Sequence, residues 1–160
     1  MKRGVLALAM ALVLAGVGVR AQGPSFAGMW KLNAEKSSRN ITGNTPNIAF
    51  ASSLEVKQTA AELSLLATSV RQAPFSATYK LDGTTVPVAA PKGITETGGA
   101  KIEGQTLVIN TKRSFTSPLG ETVINFKEVW TVTGNVLTIE KTRIESSGET
   151  STEKAVYDKA

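Results

Sequence analysis

Glu128-Val129-Trp130-Thr131-Val132-Thr133-Gly134-Asn135-Val136-Leu137-Thr138-Ile139-Glu140-Lys141-Thr142-Arg143 is the stretch that decides how this chain folds. Gly134-Asn135 is a two-residue turn signal between two runs of β-branched and apolar residues. A hairpin centred there sets Val132 opposite Leu137 and Trp130 opposite Ile139. Both pairs then share one face, so the turn and the apolar pattern agree on one register. Carried outward, that register sets Glu128 opposite Lys141 and Phe126 opposite Arg143. Three charged side chains therefore fall on the face of Trp130 and Ile139. Pointing inward, they would be polar anchors in an apolar cavity, the arrangement that orients a small ligand. The Arg143 guanidinium could hold a carboxylate through two parallel hydrogen bonds. A bulge near Lys127–Val129 would instead turn the charges to solvent, and inward charges can also serve only one another.

The same period of two recurs upstream. Phe26, Gly28, Trp30 and Leu32 share one parity. Leu54 and Val56 alternate with Glu55 and Lys57, and Phe75, Ala77, Tyr79 and Leu81 alternate with Ser76, Thr78 and Lys80. Leu63, Leu65, Leu66 and Val70 keep no single parity, which leaves strand or short helix open over 61–70. Asp82-Gly83 predicts a hairpin with Tyr79 opposite Val86, and Gly104-Gln105 one with Ile102 opposite Leu107. Pro87 makes its strand short, bulged or an edge. Gly98-Gly99 predicts a bulge or sharp bend. Eight to ten strands in series, with no crossover helices between them, argue against a parallel sheet. The economical solution is an all-β, antiparallel up-and-down β-barrel; a two-sheet β-sandwich is the alternative. A barrel of this size holds side chains and at most a small ligand.

Met1-Lys2-Arg3 followed by the apolar run Gly4–Val19 and Val19-Arg20-Ala21 reads as a secretory signal peptide over 1–21, cleaved before Gln22. The run is shorter than the ~20 residues of a membrane span. The expected location is secreted or periplasmic, in a Gram-negative bacterium, and residues 22–160 form a single domain. The whole chain of 160 residues has 18 basic and 13 acidic residues, a net +5. Three of the basic residues, Lys2, Arg3 and Arg20, lie in the leader. The small remaining excess is no nucleic-acid footprint. The absence of cysteine excludes disulfides, thiol nucleophiles and thiolate metal sites, and the absence of histidine excludes a Ser-His-Asp triad and imidazole-ligated zinc or haem. There is no regularly spaced Asp-rich loop for calcium and no strand-to-helix glycine loop for phosphate, so no metal or cofactor is expected. Asn40-Ile41-Thr42 is a glycosylation sequon, meaningful only in a eukaryotic source.

Phe26-Ala27-Gly28-Met29-Trp30-Lys31-Leu32-Asn33, followed by Glu35-Lys36-Ser37, resembles the start of the calycin superfamily. Lipocalins carry Gly-x-Trp on their first strand, and fatty-acid-binding proteins begin with a similar Phe-x-Gly-x-Trp-Lys-Leu segment. Ala155-Val156-Tyr157-Asp158-Lys159-Ala160 looks like the closing Arg-Val-Tyr-Glu-Arg strand of the latter. As a whole the chain resembles the secreted lipocalin-like proteins of environmental bacteria. The resemblance implies a ligand-binding barrel with Trp30 at its base and Tyr157 in the position of a tyrosine that holds a ligand carboxylate. The partner arginine position is Ala155. The stretch Ser37–Phe50, rich in Asn, Thr and Pro, suits a loop better than the helix pair that caps the fatty-acid-binding barrels. An Arg laid over the Trp, common in lipocalins, has only Arg143 and Lys154 as candidates by position.

The expected function is non-covalent binding of a small, partly apolar molecule, with Glu128, Lys141, Arg143, Tyr79, Tyr157 and Trp30 as the ligand-binding candidates. The alternative is a non-enzymatic interaction module of the cell envelope whose barrel is filled by Trp30, Phe75, Tyr79, Phe126 and Trp130. An isomerase or cyclase would have to move protons with Glu, Tyr and Lys alone. Thr111-Lys112-Arg113 and the other scattered cations read as solvated surface.

Overall fold

The computed structural model describes residues 23–39, 50–70, 72–118 and 120–160. The expected signal peptide, the sequon and most of the Ser37–Phe50 stretch lie outside the described residues. Eleven strands follow in chain order: β1 (Gly28–Leu32), β2 (Ser38–Arg39), β3 (Ser53–Gln58), β4 (Glu62–Thr68), β5 (Phe75–Lys80), β6 (Val86–Val88), β7 (Ile94–Glu103), β8 (Thr106–Ser117), β9 (Gly120–Thr133), β10 (Val136–Glu145) and β11 (Thr150–Lys159). Ten of them form one path, β5-β4-β3-β1-β11-β10-β9-β8-β7-β6, and β2 pairs with β11. Every ladder is antiparallel. This is a nearly closed up-and-down barrel, with no helix among the described residues.

The decisive hairpin has the register its sequence predicts. Val132 pairs with Leu137, Trp130 with Ile139, Glu128 with Lys141 and Phe126 with Arg143. The turn needs Gly134, whose φ is +59°. No bulge interrupts β9 at 127–129, because the ladders to both neighbours run through unbroken. Ile102 likewise pairs with Leu107. Within the ambiguous segment at 61–70, Glu62–Thr68 is strand: Leu63 and Leu65 face inward, Leu66 breaks parity because it lies on the outer face, 40% exposed, and Val70 lies beyond the strand, 90% exposed.

Two expectations fail at one place, the seam where the barrel closes. The Asp82-Gly83 hairpin does not form. Asp82 Oδ1 instead accepts the Thr84 N–H at 2.8 Å, a local turn that reverses the chain without pairing its flanks. Asp82 then bridges Lys101, and the Gly83 N–H donates to Ala100 O at 2.9 Å. So β5 and β6 are the two ends of the path, and β6, with Pro87 at its centre, has β7 as its only ladder partner. Nor do Gly98 and Gly99 form a bulge, since their ladder to β8 is continuous through Thr111 and Asn110. They are small because the seam presses on them. A Cβ on Gly98 would lie 2.7 Å from Tyr79 Cε1, and one on Gly99 2.8 Å from the Gly83 carbonyl oxygen.

One end of the barrel is plugged. Phe26, Leu63, Leu107 and Leu137 are fully buried there with Trp30 and Trp130. Phe26 meets Trp130 edge-on, with centroids 6.5 Å apart at 72°. Gln58 clasps the entering chain: its Oε1 accepts the Phe26 N–H at 2.7 Å and its Nε2 donates to Pro24 O at 3.1 Å.

Candidate ligand cavity

Alternation aims every second side chain of each strand inward, and register stacks those side chains into rows across β7–β11. Above the inward pair Leu137–Tyr157 runs a row of Ile102, Leu107, Trp130, Ile139 and Ala155, all apolar. Above it come Ala100, Ile109, Glu128, Lys141 and Glu153, then Gly98, Thr111, Phe126, Arg143 and Ser151, and then Glu96, Arg113, Ile124 and Glu145. Over the apolar floor lies a cavity of about 900 Å³. Gln72, Ala73 and Pro74 before β5, and Ala89, Ala90 and Pro91 after β6, contribute to its lining and so mark its open end. Its two walls differ. From β3–β5 it receives Leu54, Leu65, Ala67 and Phe75, with Tyr79 as the strongest polar group. All its charged side chains come from β7–β10, where Glu96, Arg113, Glu128, Lys141 and Arg143 stand among Thr111 and the apolar Ile124 and Phe126.

The charges on that wall are organised in pairs. Glu128 Oε1 lies 2.8 Å from Lys141 Nζ, and Trp130 Nε1 donates to Glu128 Oε2 at 2.9 Å. Burial pushes the Glu128 carboxyl up, but the Lys141 charge and the hydrogen bonds from Lys141 and Trp130 outweigh it and hold the group below its ordinary value. Arg113 Nε and Nη2 both reach Glu96 Oε2 at 2.7 Å. Lys141 and Arg113 lie 4.9 and 5.4 Å from the centroid of the Phe126 ring, so one aromatic serves two cations. Arg143 Nη2 meets Glu145 Oε1 at 3.0 Å, while the buried Arg143 Nε finds no acceptor among the described residues.

Among the six candidates, Glu128, Lys141, Arg143, Tyr79 and Tyr157 line the cavity. Trp30 does not. It is 1% exposed, its Nε1 donates to Phe26 O at 3.0 Å, and it sits behind the floor that Trp130 forms. The cation beside Trp30 is Lys159, 5.6 Å from the ring, because the two residues pair directly in the β1–β11 ladder; neither Arg143 nor Lys154 takes that place. Glu96, Thr111, Arg113 and the buried Glu153 escaped the sequence reading. Thr111-Lys112-Arg113 is not a solvated cluster: only Lys112 is fully exposed, and its neighbours point inward. Parity with Leu107 and Ile109 would have found both.

Tyr157 donates its hydroxyl to Ala51 O at 3.1 Å, and the Thr111 side chain hydrogen-bonds Tyr79. Burial, then the nearby Glu128 carboxylate, pushes both phenols up from their ordinary value of 10.0; the Thr111 bond opposes this only in part at Tyr79. The native state therefore keeps two protons that the unfolded chain releases, and stability falls as the pH rises above 10. These are the chain's two tyrosines. Phenolate absorbance is expected to appear only as the barrel unfolds in alkali, and ionisation near 10 with the fold intact would contradict their placement.

No family model and no curated protein matches the chain. Among solved structures, the fold is similar to that of zebrafish ileal bile-acid-binding protein, crystallised in complex with cholic acid. The TM-score is 0.55 at 14% sequence identity, over 84% of this chain and 98% of that one. The similarity is one of fold.

Proposed function

We propose that this protein is an exported, lipocalin-like carrier that binds a small, partly apolar molecule non-covalently inside its barrel. The observation that carries the reading is the cavity of about 900 Å³ over an apolar floor, with one apolar and one polar wall. That volume suits a single drug-sized ligand. The bile acid held by the similar barrel supports the same class of guest. A filled barrel acting as an interaction module is the weaker reading. The five large residues that would fill it lie at different levels: Trp30 and Trp130 in the plug, Phe126 in the row of Arg143, Phe75 toward the open end, Tyr79 drawn over Gly98. Binding fits better than catalysis, since the chain lacks His and Cys and Glu128, its best-placed acid, is held ionised by Lys141. Export rests on the signal-like pattern of residues 1–21.

Titration with Nile red, a neutral apolar dye, tests the binding. Saturable uptake of one dye per chain is expected, with the affinity falling about tenfold or more in Ala67→Phe, which fills the apolar wall. Dye uptake that Ala67→Phe leaves unchanged, or none at all, overturns the cavity as the site. Native mass spectrometry of protein exported to a bacterial periplasm, before and after denaturation, would then identify the natural occupant by its mass.

A further inference from the structure

The interior charges are not equivalent. Glu128 has both carboxylate oxygens engaged, one by Lys141 and one by Trp130. Arg113 spends Nε and Nη2 on Glu96. Lys141 is tied to Glu128 and lies against Phe126. Arg143 alone among these cations has a buried N–H donor with no acceptor among the described residues. A guanidinium is planar, and its donors lie along separate edges. Glu145 takes Nη2, and the buried Nε beside it is left without an acceptor on a side chain that lines the cavity. A buried donor without an acceptor is costly, and more so when charged, so an oxygen placed there gains more than it would at a satisfied group.

Resting on the binding reading above, we infer that the Nε edge of Arg143 is the seat for an acidic head group, and that the ligand lies with this head toward the open end and its apolar body toward the Trp130–Ile139 floor. Two features fix the orientation. Arg143 stands two rows above the floor, ~13 Å along β10 from Ile139 at the usual rise per strand residue. In the row below, Lys141 is already spent on Glu128, and an acid pushed down to it would meet the Glu128 and Glu153 carboxylates. Glu145 is then more than a structural partner. It is the internal anion that competes with the ligand head for one guanidinium.

Displacement of Nile red by dodecanoate and by dodecanol separates this inference from the binding reading. Dodecanoate is expected to bind at least tenfold more tightly than dodecanol, through a charge-assisted hydrogen bond. Arg143→Lys keeps the charge but has no Nε edge, and should erase most of that preference, read as the ratio of the two affinities. Glu145→Gln removes the competing anion and should raise dodecanoate affinity severalfold, whereas a merely structural Glu145 would lower both affinities. For orientation, dodecanoate brominated at its terminal carbon should quench tryptophan fluorescence, because Trp130 lines the floor, and dodecanoate brominated beside the carboxyl should quench weakly. If acid and alcohol displace the dye equally, or the carboxyl-side bromine quenches better, the head-group inference falls while the cavity stands. If Nile red itself does not bind, the binding reading falls first.

Discussion

Gly99→Val is expected to cost about 3 kcal/mol of stability and to lower Tm by roughly 10 °C, the largest loss for any glycine in the barrel. The reason is not conformational freedom. Gly99 is not among the glycines with positive φ, so its backbone suits any residue. The obstacle is backbone on the far side of the seam: a Cβ would stand 2.8 Å from Gly83 O and 3.1 Å from Thr84 O. The Gly83 carbonyl cannot rotate away cheaply, because the Thr84 N–H of the same peptide is bonded to Asp82 and the Gly83 N–H ties the turn to Ala100. A side chain at 99 must therefore push the 82–84 turn outward and break the contacts that join the two ends of the strand path. Gly148→Ala isolates the other penalty. Its φ is +86° with nothing within 4 Å of a new Cβ, so only backbone strain of about 1–2 kcal/mol applies. Gly98→Ala should fall between the two, since its 2.7 Å clash is with the Tyr79 ring, a side chain that can move at the expense of its bond to Thr111. Thermal unfolding followed by circular dichroism ranks the three; Gly99→Val as stable as Gly148→Ala would mean the seam is not closed as described.

That seam also marks where sequence reading stops. The hairpins at Gly134-Asn135 and Gly104-Gln105 were legible because turn and strand parity are both local, and each checks the other. Asp82-Gly83 carries the same local signal, but a turn does not say which strands it joins. Here Asp82 satisfies the turn alone, and the pairing of the chain beyond it is decided by Lys101 and Ala100, far along the sequence. Gly98-Gly99 looked like a bulge because the closeness that demands glycine comes from across the seam, and no local pattern encodes it. The candidate site divides on the same line. Glu128, Lys141 and Arg143 followed from one hairpin register. Glu96 was hidden because an expected bulge at 98–99 destroys the parity that puts it inside. Arg113 was hidden because a run of two cations on a strand reads as surface until its alternation with Leu107, Ile109 and Thr111 is counted.

Lys141→Met carries the second large effect, and its sign depends on pH. In the native barrel Glu128 is held below its ordinary value of 4.5, so it contributes stability above that value, and the contribution is lost as the pH falls through 4.5 toward the lowered native value. Replacing Lys141 by Met keeps the bulk beside Phe126 but removes both the charge and the hydrogen bond that outweigh burial. Burial then dominates, and the carboxyl rises above its unfolded value. At neutral pH the variant should lose about 3 kcal/mol, the cost of a buried charge stripped of its partner, at the low end because 18% of the Glu128 side chain remains exposed. Below neutrality the trend reverses: the native state now binds its proton before the unfolded chain does, and the variant gains stability as the pH falls toward the ordinary carboxyl range, where the parent protein begins to lose it. Chemical denaturation across this range reads the crossing of the two curves. Glu128→Gln combined with Lys141→Met removes both charges and should recover most of the loss at neutral pH, since a neutral amide can still accept from Trp130 Nε1. A Lys141→Met barrel with the parent's pH slope would show that Glu128 draws its ionisation from solvent and not from Lys141, and the polar wall would then be a hydrated surface and not a fixed set of charges aimed at a guest.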